Sequence, residues 1–376
     1  MQGIRRTSNT PPYFPTLDGW RAVAIILVFL QHGAASIADA TGLRHIVQMG
    51  DSRCGVLGVH VFFGISGFLI TSLLVDEERR CGAITLSSFY VRRFFRIVPA
   101  AFVMLLFVAA LAFFGVLDDV YPVEWIGALL FFMNYLPAPT WSVGHFWSLS
   151  VEEHFYLLWP TIFLVLSSFR RRLTAVIPLA LVLSVWAVLD ARYSITGPFN
   201  WNSETHTDVQ ANGLLWGAAA ALMYADKEWR QSLNRIATPW TAWLIIAFLV
   251  VTYAGLTGFG RATLPLEAVL IPLMLVATVL HPRTFIGRFL ESPPLRYIGK
   301  LSYSIYLWQQ LFVWTYHPAL GVFEIFPLNL VCALICAAAS YYLIETPIRN
   351  WGRRFAPSRN YPTTPRLAGR SASPGS

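Results

Sequence analysis

An arginine and a histidine stand eleven residues apart in the first hydrophobic stretch of the chain, at Arg21 and His32. Nine of the ten residues between them are apolar, with Gln31 as the exception. An α-helix turns ~100° per residue, so it places both side chains on one face, ~16 Å apart. Burying an imidazole in a membrane helix is costly, so His32 is a candidate for proton transfer. A structural hydrogen bond to a neighbouring helix is the alternative.

Three arginines, Arg92, Arg93 and Arg96, stand just before a later apolar stretch and alternate with aromatic residues. Arg93 and Arg96 are three positions apart and share one helix face. Guanidinium groups bind phosphate through paired hydrogen bonds, so this cluster is a candidate phosphate site. An ordinary basic anchor at the cytoplasmic end of a span is the alternative.

Two adjacent carboxylates, Glu152 and Glu153, lie within the aromatic and apolar segment WSLSVEEHFYLLWP. Solvation does not explain acidic residues in such surroundings, and a carboxylate there suits proton transfer. Successive residues of a helix point ~100° apart, so only one of the two needs to face a site. The alternative is an aromatic belt at the membrane interface with one glutamate bonded to a neighbour.

The segment GVHVFFGISGFLIT carries a second intramembrane imidazole, His60, among small residues. Gly58, Gly64 and Gly67 favour close approach of a neighbouring helix, so packing is their expected role. For His60, the sequence is compatible with both a structural and a functional role.

The composition predicts an all-α, polytopic membrane protein. Of the 376 residues, 56% are hydrophobic and 13% are charged, against ~25% charged in soluble proteins. The net charge of +8 is explained by basic cytoplasmic loops rather than by nucleic-acid binding. No metal-binding spacing is present.

A bilayer needs ~20 apolar residues per helix, and ten segments qualify: 17–38, 56–75, 97–117, 146–168, 173–190, 208–224, 239–255, 263–281, 301–317 and 327–344.

The basic residues predict the topology. With ten spans and a cytoplasmic N-terminus, 23 of the 28 lysines and arginines fall on the inner side. The stretch Val123–Leu136 is short for a span and suits a re-entrant or interfacial element. Counting it as a span would move Arg170–Arg172 outside. We therefore expect a bundle of about ten helices in the inner membrane with both termini cytoplasmic. It comprises an N-terminal segment 1–16, a membrane domain 17–344 and a basic, disordered tail 345–376.

Taken together, these motifs resemble the acyltransferase-3 family of integral membrane O-acyltransferases over nearly the whole chain. The matching segments, in order, are LDGWRAVAIILVFLQH, GVHVFFGISGFLIT, RFFR, WSLSVEEHFYLLWP, IGKLSYSIYLWQ and YLIETPIRN. The chain departs from the family pattern where Gln309 replaces a frequent histidine. It departs again where Gln210 and Asn212 stand in place of an Arg/Asp pair before Gly213.

The resemblance implies transfer of an acyl group, most often acetyl, from acyl-CoA to a hydroxyl of a carbohydrate such as a surface glycan. We expect Arg93 and Arg96, with Arg92 beside them, to hold the CoA phosphates. His32 is expected to deprotonate the acceptor hydroxyl, directly or as a relay. An acyl-histidine intermediate stays open.

Three further residues complete the expected site. Arg21 would guide the donor toward His32, and Asp18 would pair with Arg21 and fix its rotamer. Glu152 would orient or charge-balance His32, or lie on the acceptor side. Two alternatives remain at the level of sequence. One is O-acylation of a small glycosylated natural product, and the other is a transporter of glycan or lipid-linked sugar with His32 in a proton pathway.

Overall fold

A computed structural model describes residues 12–41, 54–117, 120–195, 203–253, 264–313 and 320–356. All regular structure in these ranges is helical. The longer helices are α1 (Pro15–Thr41), α2 (Cys54–Cys81), α3 (Leu86–Phe113), α6 (Phe146–Val165), α7 (Phe169–Tyr193), α8 (Thr207–Ala225), α10 (Pro239–Tyr253), α11 (Leu264–Leu280) and α13 (Pro293–Gln309). The others are α4 (Pro122–Leu129), α5 (Trp141–Gly144), α9 (Lys227–Ile236), α12 (Phe285–Leu290), α14 (Leu328–Ser340) and α15 (Thr346–Gly352).

Four helical segments of the described chain are long and apolar enough to cross a membrane. They are α2, α3, α7 and the continuous stretch Leu328–Gly352. A fifth is added if α9 and α10, which meet at 60°, are counted as one bent span. Each of the ten apolar segments overlaps a helix, and the stretch Val123–Leu136 forms the eight-residue α4 and a short 3-10 turn.

Helix α2 lies at the centre of the bundle, between α1 and α8. Its glycines permit this packing, as the sequence predicted. A methyl group on Gly58 would lie 2.5 Å from the carbonyl oxygen of Ala24 in α1, and one on Gly67 would meet the carbonyl oxygen of Leu214 in α8. Backbones this close leave no room for a larger residue. Other faces of α2 make no such backbone contact, and residues on them line cavities.

The C-terminal helix continues past the boundary predicted at residue 345. A π-helical turn at Tyr341–Glu345 joins α14 to α15. Ser304 donates a 3.0 Å hydrogen bond to the buried Glu345 carboxylate, and Gly352 packs against Phe95. These contacts order residues 345–352, so the expectation of disorder is wrong for them. Residues 357–376 lie outside the described part of the chain, as do residues 1–11 of the N-terminal segment.

Candidate active site

The bundle contains a central cavity of about 230 Å³, lined by α1, α2, α3, α6 and α13. Its charged lining residues are Arg21, Arg93, Arg96 and Glu152. Helix α1 thus contributes one arginine and α3 contributes two, while α6 contributes the carboxylate. The cavity brings together residues that are more than 120 positions apart in the sequence.

The three arginines give the cavity a positive surface. Within the described residues, none of their guanidinium groups makes a hydrogen bond or an ion pair with a carboxylate. Arg93 lies over the ring of Tyr156, 4.1 Å from its centroid. Arg96 is within electrostatic reach of both other arginines and of Glu345. Unpaired guanidinium groups that share a cavity are suited to binding an anion with several oxygens, such as a phosphate.

Arg92 does not belong to this cavity. Its guanidinium pairs with the Glu77 carboxylate at 3.0 Å, and its side chain is 40% exposed. Helix geometry alone would let Arg92 share a face with Arg96, four positions later, so the pairing with Glu77 of α2 is what holds Arg92 outside the cavity. Of the three arginines predicted to hold phosphate, the structure groups two in the cavity and replaces the third with Arg21.

Only one of the two adjacent glutamates lines the cavity, as the ~100° between successive helix positions allowed. Glu152 lines the cavity and accepts hydrogen bonds from Ser66, at 2.9 Å, and from Tyr156, at 2.7 Å. Glu153 is absent from the cavity lining, although the charges of Arg93 and Arg96 act on it. Glu152 is therefore the carboxylate placed for chemistry in the cavity.

His32 lies beyond one end of the cavity and faces protein. Its Nδ1 atom is 3.1 Å from the side-chain nitrogen of Gln309, and its ring packs edge-on against Trp141 at 5.1 Å. Gln309, which departs from the family pattern, is thus the partner of this imidazole. The expectation that Glu152 orients His32 is not met, because the two side chains make no hydrogen bond and Glu152 is bound by Ser66 and Tyr156.

A layer of polar side chains separates the cavity from His32. The cavity ends at Ser148 and Tyr306, whose hydroxyl oxygens are 2.6 Å apart. Tyr306 also donates to the carbonyl oxygen of His145, at 2.9 Å, and the His145 ring is within electrostatic reach of His32. The predicted polar track from Arg21 to His32 is therefore interrupted in this conformation. Tyr306 and His145, which the sequence did not single out, occupy the interruption.

Asp18 does not pair with Arg21. Its carboxylate accepts a 2.7 Å hydrogen bond from Tyr13, whose hydroxyl accepts another from Arg296 at 3.1 Å. Asp18 thus faces the N-terminal end of α13, whereas Arg21 faces the central cavity. No group of three or more candidate metal ligands occurs in the part of the chain that the structure describes.

Comparison with known proteins identifies the family of the chain. The family model described as "Acyltransferase domain" matches residues 14–345. The chain belongs to the acyltransferase-3 family. It is 28% identical to the peptidoglycan O-acetyltransferase OatA of Listeria monocytogenes, over 93% of this chain and 58% of that protein. It is 31% identical to the putative peptidoglycan O-acetyltransferase YrhL of Bacillus subtilis, over 91% of this chain and 56% of that protein.

The chain therefore spans a little over half the length of these relatives. No solved structure matches it. Membership of the family establishes that the chain is an acyltransferase. It does not by itself identify the acyl donor or the acceptor.

Proposed function

We propose that this protein is a membrane O-acetyltransferase that moves an acetyl group from cytoplasmic acetyl-CoA to a hydroxyl of a carbohydrate acceptor, such as a surface glycan. The observation that carries the proposal is the central cavity with its three unpaired arginines. Both named relatives are O-acetyltransferases of peptidoglycan, one of them putatively, which favours acetyl as the group and a glycan as the acceptor.

In the proposed topology ten helices cross the inner membrane and both termini are cytoplasmic. The arginine-lined end of the central cavity then faces the cytoplasm, where acetyl-CoA is available. Arg21, Arg93 and Arg96 hold the donor phosphates by charge-assisted hydrogen bonds. The pantetheine arm extends toward Ser148 and Tyr306. The ~16 Å from Arg21 to His32 along α1 sets the length that this arm has to cover.

His32 is the proposed general base. It accepts the proton of the acceptor hydroxyl, whose oxygen attacks the thioester carbonyl carbon. The carbon–sulfur bond then breaks, and the CoA thiolate takes up the proton from His32. When Nδ1–H donates to the side-chain oxygen of Gln309, 3.2 Å away, Nε2 is the unprotonated nitrogen that takes the proton of the acceptor. For the thioester to reach His32, the Tyr306–Ser148 contact has to open, so donor binding and that opening are coupled in the proposal.

Glu152 has a separate role in this proposal. It lies in the same cavity as the three arginines and is held by Ser66 and Tyr156. Its charge offsets part of the positive charge of the three guanidinium groups when no donor is bound.

The test uses the full-length protein in sealed vesicles with acetyl-CoA labelled in the acetyl group. We expect label to enter a glycan acceptor only when acetyl-CoA is supplied on the side of the arginine cluster. One CoA should be released for each ester formed. Movement of a glycan across the vesicle without CoA release would contradict the proposal and indicate a transporter.

A further inference from the structure

A second polar cluster lies on the other side of α2 from the central cavity. His60 in α2 has its Nδ1 atom 3.3 Å from the carboxylate of Glu267 in α11. That carboxylate is 2% exposed and also accepts a 2.8 Å hydrogen bond from Tyr253. The pairing fixes the imidazole ring by one nitrogen. Within the described residues, Nε2 of His60 has no hydrogen-bond partner and stays available.

A side pocket of about 20 Å³ adjoins this cluster, and its polar lining consists of His60, Gln210 and Asn212. Asn212 is only 7% exposed. Its side-chain amide forms no hydrogen bond in the part of the chain that the structure describes, although it lines the pocket. The Asn212 amide therefore presents a donor and an acceptor to the pocket that no described side chain or backbone group uses, and both are available to a bound group.

The charge of the side pocket differs from that of the central cavity. No lysine or arginine is among its described lining residues, and the Glu267 carboxylate lies directly behind His60. A phosphate or carboxylate group would meet this negative charge with no cation to offset it. Imidazole and amide groups instead complement an uncharged group that both donates and accepts, and a hydroxyl group is small enough to fit.

The position of the side pocket favours the acceptor over the donor. Phe63 lines both the pocket and the central cavity and forms the wall between them. Gln210 and Asn212 lie in the first two turns of α8, and Ala268 lies in the first two turns of α11. In the proposed topology these helix ends face outside, where a glycan would arrive.

We propose that the side pocket is an acceptor subsite, in which His60 and Asn212 bind one uncharged hydroxyl of the acceptor other than the hydroxyl that is acetylated. The subsite rests on the proposed function, since it takes a group of the glycan acceptor. Glu267 acts through His60 by fixing its ring, so it is a positioning residue. The pocket would fix the orientation of the acceptor while its reacting hydroxyl meets His32.

The test compares Asn212→Leu, which removes the amide but keeps the branching of the side chain, with Asn329→Leu. Asn329 is also buried, at 0% exposed, but lies on α14, outside the pocket. The probe acceptor is an oligosaccharide of four N-acetylglucosamine residues, with labelled acetyl-CoA as donor. We expect Asn212→Leu to raise the acceptor KM about tenfold or more. The acetyl-CoA KM should stay within about twofold, and Asn329→Leu should leave both unchanged.

A second variant, His60→Phe, protects the test against a folding defect in the first. It should raise the acceptor KM in the same way, while binding of a non-hydrolysable CoA thioether, followed by calorimetry, stays as in the wild type. An unchanged acceptor KM in both variants would overturn the subsite and leave the proposed function standing. If the wild-type protein binds the thioether but never acetylates the oligosaccharide, the glycan acceptor fails, and the subsite fails with it.

Discussion

The central cavity and the side pocket lie on opposite faces of α2 and differ in size and in charge. The cavity measures about 230 Å³ and carries three arginines, whereas the pocket measures about 20 Å³ and has an imidazole backed by a carboxylate. One helix therefore separates a region suited to a large anion from a region suited to a single neutral group. In the proposed function, a bundle with few charged residues thus distinguishes two substrates by where its charges are paired.

The two imidazoles sharpen this comparison. His32 has the neutral amide of Gln309 as its partner, and His60 has the carboxylate of Glu267. If the division of roles holds, removal of His32 affects the chemical step, whereas removal of His60 affects acceptor binding.

The largest effect is expected from His32→Ala. Loss of a general base lowers kcat by about 10²–10⁴-fold, and the acetyl-CoA KM should change little because the arginines are intact. The control is His281→Ala, since the His281 ring follows the C-terminal end of α11, contacts the carbonyl oxygen of Ala237 and lines neither compartment. Turnover by His32→Ala close to that of the wild type would remove His32 from the mechanism.

An intermediate effect is expected from the double variant Arg93→Ala, Arg96→Ala. Each charge-assisted hydrogen bond to phosphate contributes about 1.5–3 kcal/mol, so the acetyl-CoA KM should rise at least tenfold, while the acceptor KM stays unchanged. Arg92→Ala is the matched control on the same helix, because its side chain is half exposed and pairs with Glu77. Donor titrations measure both. Equal effects of the double variant and the control would favour a general basic anchor.

The smallest effect is expected from Glu152→Gln compared with Glu153→Gln. A glutamine at 152 keeps the shape but directs an NH2 group at one of the two hydroxyl donors, Ser66 or Tyr156. We expect kcat/KM for acetyl-CoA to fall about tenfold and the same change at Glu153 to matter at most about twofold. The reverse order in steady-state assays would make Glu153 the working carboxylate.

The helices and the arginine cavity could largely be predicted from the sequence, because they depend on local pattern. Each of the ten predicted apolar segments overlaps a helix of the described chain, and the spacing of Arg93 and Arg96 does place them on one face of α3. The interruption between Arg21 and His32 could not be predicted. Helix geometry places both on one side of α1, but the side chains that fill the space between them, Tyr306 and His145, come from other helices.

The hydrogen-bond and ion-pair partners of the charged residues also could not be predicted from the local sequence pattern. Asp18 has Arg21 within one helical turn, yet it bonds to Tyr13. Arg92 forms an ion pair with Glu77 and does not enter the cavity. Glu267 is a different case, since a lone carboxylate in the apolar segment LPLEAVLIPLML meets the same criterion that singled out His32. Its imidazole partner lies 207 positions earlier, and only the fold brings the two together.

Phe63 lines both compartments, so in the proposed function the donor and the acceptor share this residue as a boundary. A ligand that shifts the Phe63 ring on one side would change the space available on the other. Thermodynamic linkage then requires reciprocity: whatever factor acetyl-CoA imposes on affinity for the sugar, the sugar must impose on affinity for acetyl-CoA.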